Sequence, residues 1–108
     1  IPDKIAINSN AGVIFIELSN IIFAHSVNNY SKLKLIDNKE VIISRSLKEV
    51  QDSLNGSHFA RVHRQYVINL NKVNSYNRQD GVVIMMDKSE IPVSRYQKEK
   101  FIELFGWL

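Results

Sequence analysis

Three short polar clusters hold most of the chemistry open to this chain. His63, Arg64 and Gln65 stand between two β-rich runs, FARVH and YVINL. Apolar legs around a polar pair read as a hairpin with an exposed tip. Arg95, Tyr96 and Lys98 fall in the run SRYQKEK, and Asn28, Asn29, Tyr30 and Lys32 lie in or beside HSVNNYS. Arginine presents a planar fork of donors to a phosphate or a guanine edge, while Asn and Gln pair with adenine. Such donors, carried on loop tips by a rigid scaffold, suit contact with phosphates and base edges.

Each cluster also has a plainer reading. A polar turn facing water accounts for His63 to Gln65, and turn chemistry favours the two asparagines anyway. The spacing puts Arg95, Tyr96 and Lys98 in the first turn of a last helix. Cations are unfavourable there by ~0.3–1 kcal/mol each, because the helix start is already partly positive. Either Arg95 pairs with Glu99 one turn on, or an anion docks on the free N–H groups beside these side chains. The second alternative fits the basic run better.

Composition narrows the classes. The 108 residues are 44% hydrophobic and 23% charged, as in an ordinary globule, and fit one domain spanning 1–108. The first residue is Ile1 rather than Met, which reads as a piece excised from something longer. There is no signal-peptide pattern, and no apolar run approaches the ~20 residues that cross a bilayer. The expected location is the cytoplasm, unless an absent upstream region anchors the protein to a membrane. The chain has no cysteine, which excludes disulfides, thiolate metal sites and a cysteine nucleophile.

The net charge is +3, and all of that excess sits in the second half. Residues 1–57 hold six Lys/Arg and six Asp/Glu, whereas residues 58–108 hold eight and five. A local excess of this kind attracts polyanions, although a solvated basic surface has the same count. For a metal, His25, His58 and His63 would have to converge, and the five-residue spacing of the last two on a strand opposes that. No G-x-S-x-G, phosphate-cradling glycine loop or carboxylate pair is present, so the sequence offers no enzyme chemistry, cofactor or small-molecule substrate.

The elements that would carry the clusters are mostly strands. Lys4 to Asn8 alternates as a strand, and Val13 to Glu17 is an apolar run typical of a buried one. Ile21 to Ala24, Lys32 to Ile36 and Val41 to Ile43 follow, with a turn at Asp37 to Lys39. Ser46 and Glu49 form a capping box opening a helix over 46–54, with Leu47, Val50 and Leu54 on one face and Gly56 as its stop. After the central hairpin come Lys72 to Asn77, a turn over Asn77 to Gly81, and Val82 to Met86. That last run lacks alternation, which predicts cover on both faces. Glu90 to Val93 is a short strand that Pro92 marks as an edge or end. Ser94 and Gln97 make a second capping box, predicting a last helix over about 95–105. The fold class is mainly β, with small antiparallel sheets and two short helices.

Three pieces, SLKEV at Ser46 to Val50, FARVHRQYVINLNKV at Phe59 to Val73 and IPVSRYQKEKF at Ile91 to Phe101, resemble in order and spacing the LytTR domain. That family is the DNA-binding output module of bacterial response regulators of the LytR/AlgR/AgrA type. The resemblance covers about Ile5 to Phe105. It implies an elongated set of small β-sheets whose loops enter successive major grooves of double-stranded DNA. The matching loops are Asn28 to Lys32, His63 with Arg64, and Arg95 with Tyr96 and Lys98. It further implies transcription regulation in a two-component system, repeated half-sites, and a monomer paired on DNA through an upstream domain. Gln65 stands where relatives often carry Ser, and Asn28-Asn29-Tyr30 replaces a histidine or basic residue, so the target sequence does not transfer. Two rivals are a β-rich RNA or single-strand binder, which normally clusters its aromatics, and a basic protein-interaction module.

Overall fold

The computed structural model describes residues 3–54 and 56–108. Among these described residues, ten strands build three sheets, all paired antiparallel. β1 (Lys4–Ser9) and β2 (Gly12–Glu17) form a hairpin of their own. The central sheet has five strands in the order β5-β4-β3-β7-β6. Its members are β3 (Ile21–Val27), β4 (Tyr30–Leu35), β5 (Glu40–Ile43), β6 (Phe59–His63) and β7 (Tyr66–Asn69). A three-stranded sheet, β10-β9-β8, comprises β8 (Val73–Asn77), β9 (Val82–Met85) and β10 (Glu90–Pro92). The overall extents of 44 × 29 × 24 Å make the molecule elongated.

Two α-helices accompany the strands among the described residues. α1 spans Leu47–Ser53, and its start is the expected capping box, with Ser46 and Glu49 each satisfying the other's backbone N–H. Leu47, Val50 and Leu54 are buried, as their spacing demands, and pack on Ile21, Ala24, Leu33 and Val67 of the central sheet. Ile7 and Ile16 from the first hairpin belong to the same core. The opposite face of the sheet, through Ile22, Val62 and Ile68, meets Val83, Met85, Ile91 and Val93, with Phe101 of α2 (Lys98–Ile102). Each fully buried Ile, Leu or Val contributes ~1.5–3 kcal/mol, so the two cores fix the sheet between them. No helix among the described residues is long and apolar enough to cross a membrane.

Two buried polar side chains lock this arrangement. The Asn69 amide donates to Ile21 O at 2.8 Å and accepts from Asn71 N–H at 3.0 Å, joining the end of β7 to the start of β3. The Ser31 hydroxyl donates to Arg45 O at 2.9 Å, tying β4 to the chain beyond β5. A buried polar group without such a partner costs ~1–3 kcal/mol, so both bonds discriminate against slipped registers.

Three expectations change. β2 forms where the apolar run predicts it but lies largely in solvent: Phe15 is 66% exposed, and only Ile16 is buried. A two-stranded hairpin has one inner face, so the remaining apolar residues have no layer above them among the described residues. β9 is not covered on both faces, because Val83 and Met85 are buried, Val82 and Ile84 are half-buried, and Met86 lies beyond it, 61% exposed. The last helix is shorter than 95–105: it begins at Lys98, its N-cap is Gln97 without a side-chain cap bond, and Ser94 to Gln97 is a turn instead.

Candidate nucleic-acid interface

The five-stranded sheet brings two of the three clusters to one end. β3 and β4 join through the two-residue turn Asn28-Asn29, with Val27 opposite Tyr30. Asn28 adopts φ 54°, a left-handed backbone that Asn tolerates better than most residues. β6 and β7 join through Arg64-Gln65, with His63 opposite Tyr66. β3 also pairs with β7, His25 facing Tyr66 across the ladder, so the end of β3 lies beside the start of β7. The two turns are therefore neighbours. A backbone bond from Ser26 N–H to Gln65 O, 3.0 Å long, links them.

The third cluster reaches the same region by a different route. β10 leaves the small sheet at Pro92, and Ser94 N–H donates to Val62 O at 2.8 Å. Val62 is one residue before His63, so Arg95 emerges beside the β6–β7 hairpin. Following the strand pairing and these two bonds, the order is the asparagine turn, then the Arg64-Gln65 turn, then the segment after β10 that carries Arg95.

The exposed members are Asn28, Asn29, Arg64, Gln65, Arg95 and Tyr96, the last 82% exposed. Tyr30, Lys32, His63 and Lys98 are half-buried. Lys32 Nζ lies 3.9 Å from Glu40 of β5, so part of its charge is already answered. The Lys98 chain lies over the backbone of Gly81: an added Cβ there would stand 2.8 Å from Lys98 Cε. His63 accepts the Gln65 N–H at Nδ1, 3.0 Å away, which leaves only its Nε2 for an outside group. Arg95 enters none of the ion pairs found among the described residues, so the Glu99 alternative is not realised. Arg95 and Tyr96 also precede α2, and five residues make too short a helix for a dipole-based anion site. What Arg95 brings is its own guanidinium on an exposed turn.

Sequence reasoning missed a row of side chains under the turns. Ile42, Lys32, His25, Tyr66 and His63 succeed one another across all five strands on one face. His25 and Tyr66 stack with ring centroids 5.6 Å apart, and His63 meets Tyr66 edge-on at 5.7 Å. Burial and the nearby Lys32 lower the pKa of His25, against a raising influence from Glu40. The strand pairing would have revealed the row, since paired residues share a face, but single-strand patterns do not give it. Arg61 was also overlooked. Its Nε donates to His63 O at 2.9 Å, one terminal nitrogen donates to Gln51 Oε1 at 2.8 Å, and the other to Arg64 O.

Residues 11–106 match the family model described as the LytTr DNA-binding domain. Two curated relatives, each called sensory transduction protein LytT, are similar over most of the chain. The one from Bacillus subtilis is 30% identical over 89% of this chain, and the one from Oceanobacillus iheyensis is 31% identical over 86%. The matched parts are 41% and 40% of those relatives, so the chain spans about two fifths of their length. A solved structure described as a LytTr DNA-binding domain from Bacillus cereus superposes with a TM-score of 0.80 at 19% identity, covering 99% of this chain and 100% of that one.

Proposed function

The chain belongs to the LytTr DNA-binding domain family, and from that premise we propose that it binds double-stranded DNA sequence-specifically to regulate transcription. It serves as the output part of a two-component-type response regulator in the bacterial cytoplasm. The loops at Asn28 to Lys32, at His63 to Gln65 and at Arg95 to Lys98 enter successive major grooves on one side of the duplex. Arg95, with Asn28 or Asn29, reads base edges, whereas Arg64, Lys32 and Lys98 neutralise phosphates and set register. The observation that carries this reading is the junction of the three clusters through Ser26–Gln65 and Ser94–Val62.

Repeated half-sites follow from a small interface. One copy offers few base-reading side chains, so stable occupancy comes from two copies joined outside this region, each monomeric alone. A single-strand or RNA platform fits less well. Of the tyrosines, Tyr66 lies in the row beneath the turns, half-buried, whereas Tyr76 packs on Phe101 in the second core.

The test is selection of binding sites from random duplexes, then titration on selected, scrambled and single-stranded oligonucleotides at two salt concentrations. A selected duplex bound at least ~10-fold more tightly than the others is expected. Equal binding to selected and scrambled duplex would overturn the reading. On the selected duplex, Arg95→Ala is expected to lose ~1–3 kcal/mol and relax preference at one base pair.

A further inference from the structure

We propose that Arg61 is a positioning residue: it holds the β6–β7 turn in its reading shape and couples that turn to α1, rather than touching DNA itself. Arg61 stands opposite Val67 in the β6–β7 ladder, and Val67 belongs to the core under α1, so the arginine faces the helix side. Its guanidinium then spans two elements. The fork grips the carbonyls of His63 and Arg64, the two residues leading into the tip. The remaining terminal nitrogen reaches Gln51 of α1. Each of the three guanidinium nitrogens therefore has an acceptor within the protein. Two of the guanidinium's five N–H groups, one on each terminal nitrogen, are left over, and the DNA arm of the test below asks whether they meet a phosphate.

The arrangement answers a local problem. The β6–β7 ladder is irregular between Arg61 and His63, where the extra residue Val62 enters the second core. A bulge loosens pairing next to the turn it precedes. Neither Arg64 nor Gln65 adopts the left-handed backbone that would make the turn self-sufficient. Side chains take over instead: Arg61 binds the carbonyls from one side, and His63 Nδ1 takes the Gln65 N–H. A fixed Gln65 carbonyl then receives Ser26 N–H, so the clamp also fixes where the β6–β7 turn sits against the end of β3. Lysine keeps the charge but lacks the planar fork, so it cannot replace this grip.

The inference rests on the DNA-binding reading only for its consequence, so the test has one arm without DNA. Amide hydrogen exchange by NMR is followed at Gln65 and Ser26 in the wild type, Arg61→Lys and Gln51→Ala. Exchange about 10-fold faster is expected in Arg61→Lys, with a smaller rise in Gln51→Ala. Unchanged exchange at both amides in these variants would overturn the proposal, and if Arg61→Lys does not fold, Gln51→Ala alone decides. In the second arm, the selected-to-scrambled affinity ratio should fall about 10-fold in Arg61→Lys while the salt slope stays as in the wild type. An unaltered ratio in Arg61→Lys, with a slope reduced by about one in Arg61→Gln, would make Arg61 a phosphate contact and end the proposal. A wild type indifferent to duplex sequence would sink the proposed function, while the exchange arm would still decide the role of Arg61.

Discussion

The two turns that meet at the end of the central sheet are built on different principles. Asn28-Asn29 shapes itself, through a residue type suited to φ 54° and a regular ladder on either side. Arg64-Gln65 is shaped by others: by Arg61 and His63 on its own strand, and by Gln51 on a helix ten residues earlier in sequence than Arg61. A self-shaped turn has its determinants at the turn. A clamped one has them elsewhere, and can be altered without a change at its tip.

That contrast can be broken in order of expected effect. Arg61→Ala removes every guanidinium bond at once and should cost about 2 kcal/mol of unfolding free energy in denaturant titration, within the range for bonds to charged groups. The counterpart in the other turn is Asn28→Val, which forces a β-branched residue into a left-handed backbone and should cost ~1–2 kcal/mol, while Asn28→Gly should stay near the wild type. If Asn28→Val proves harmless, the first turn is not self-shaped. A smaller effect separates the tips by charge: Arg64→Ala should lower the logarithmic salt slope of DNA binding by about one, whereas Asn29→Ala should leave it unaltered. The smallest effect concerns the ladder joining the turns. Burial and Lys32 depress the pKa of His25, so the unfolded chain takes up its proton first as pH falls. Its share of stability is complete above the ordinary histidine pKa of about 6.5 and is lost as pH falls from there through the lowered value. Thermal melts across that window should slope upward with pH, and less steeply for His25→Phe.

The same contrast decides what the sequence disclosed. Wherever the determinant is local, it was readable: the capping box at Ser46 and Glu49, the buried stripe of α1, the central hairpin and the tips themselves. The family resemblance, resting on contiguous runs, is matched over residues 11–106. Errors arose where the outcome depends on a distant layer. The run at Val13 to Phe15 looks buried by composition, but no element among the described residues covers it. Ser94 and Gln97 have the letters of a capping box, yet Ser94 N–H is drawn to Val62 and the chain turns before the helix can begin. The clustering of Asn28, Arg64 and Arg95 was expected from the resemblance. The bonds that produce it join β3 to the β6–β7 turn, and β6 to the chain after β10, and no single segment encodes them.

The Ser26–Gln65 link is made by main-chain atoms alone. The distance between adjacent tips is thus a property of the scaffold, indifferent to which side chains the tips display. Residues 29 and 64 can be exchanged like type in a fixed frame, changing the letters without changing their pitch. Altering where such a protein lands on a genome would then require new tips rather than a new fold.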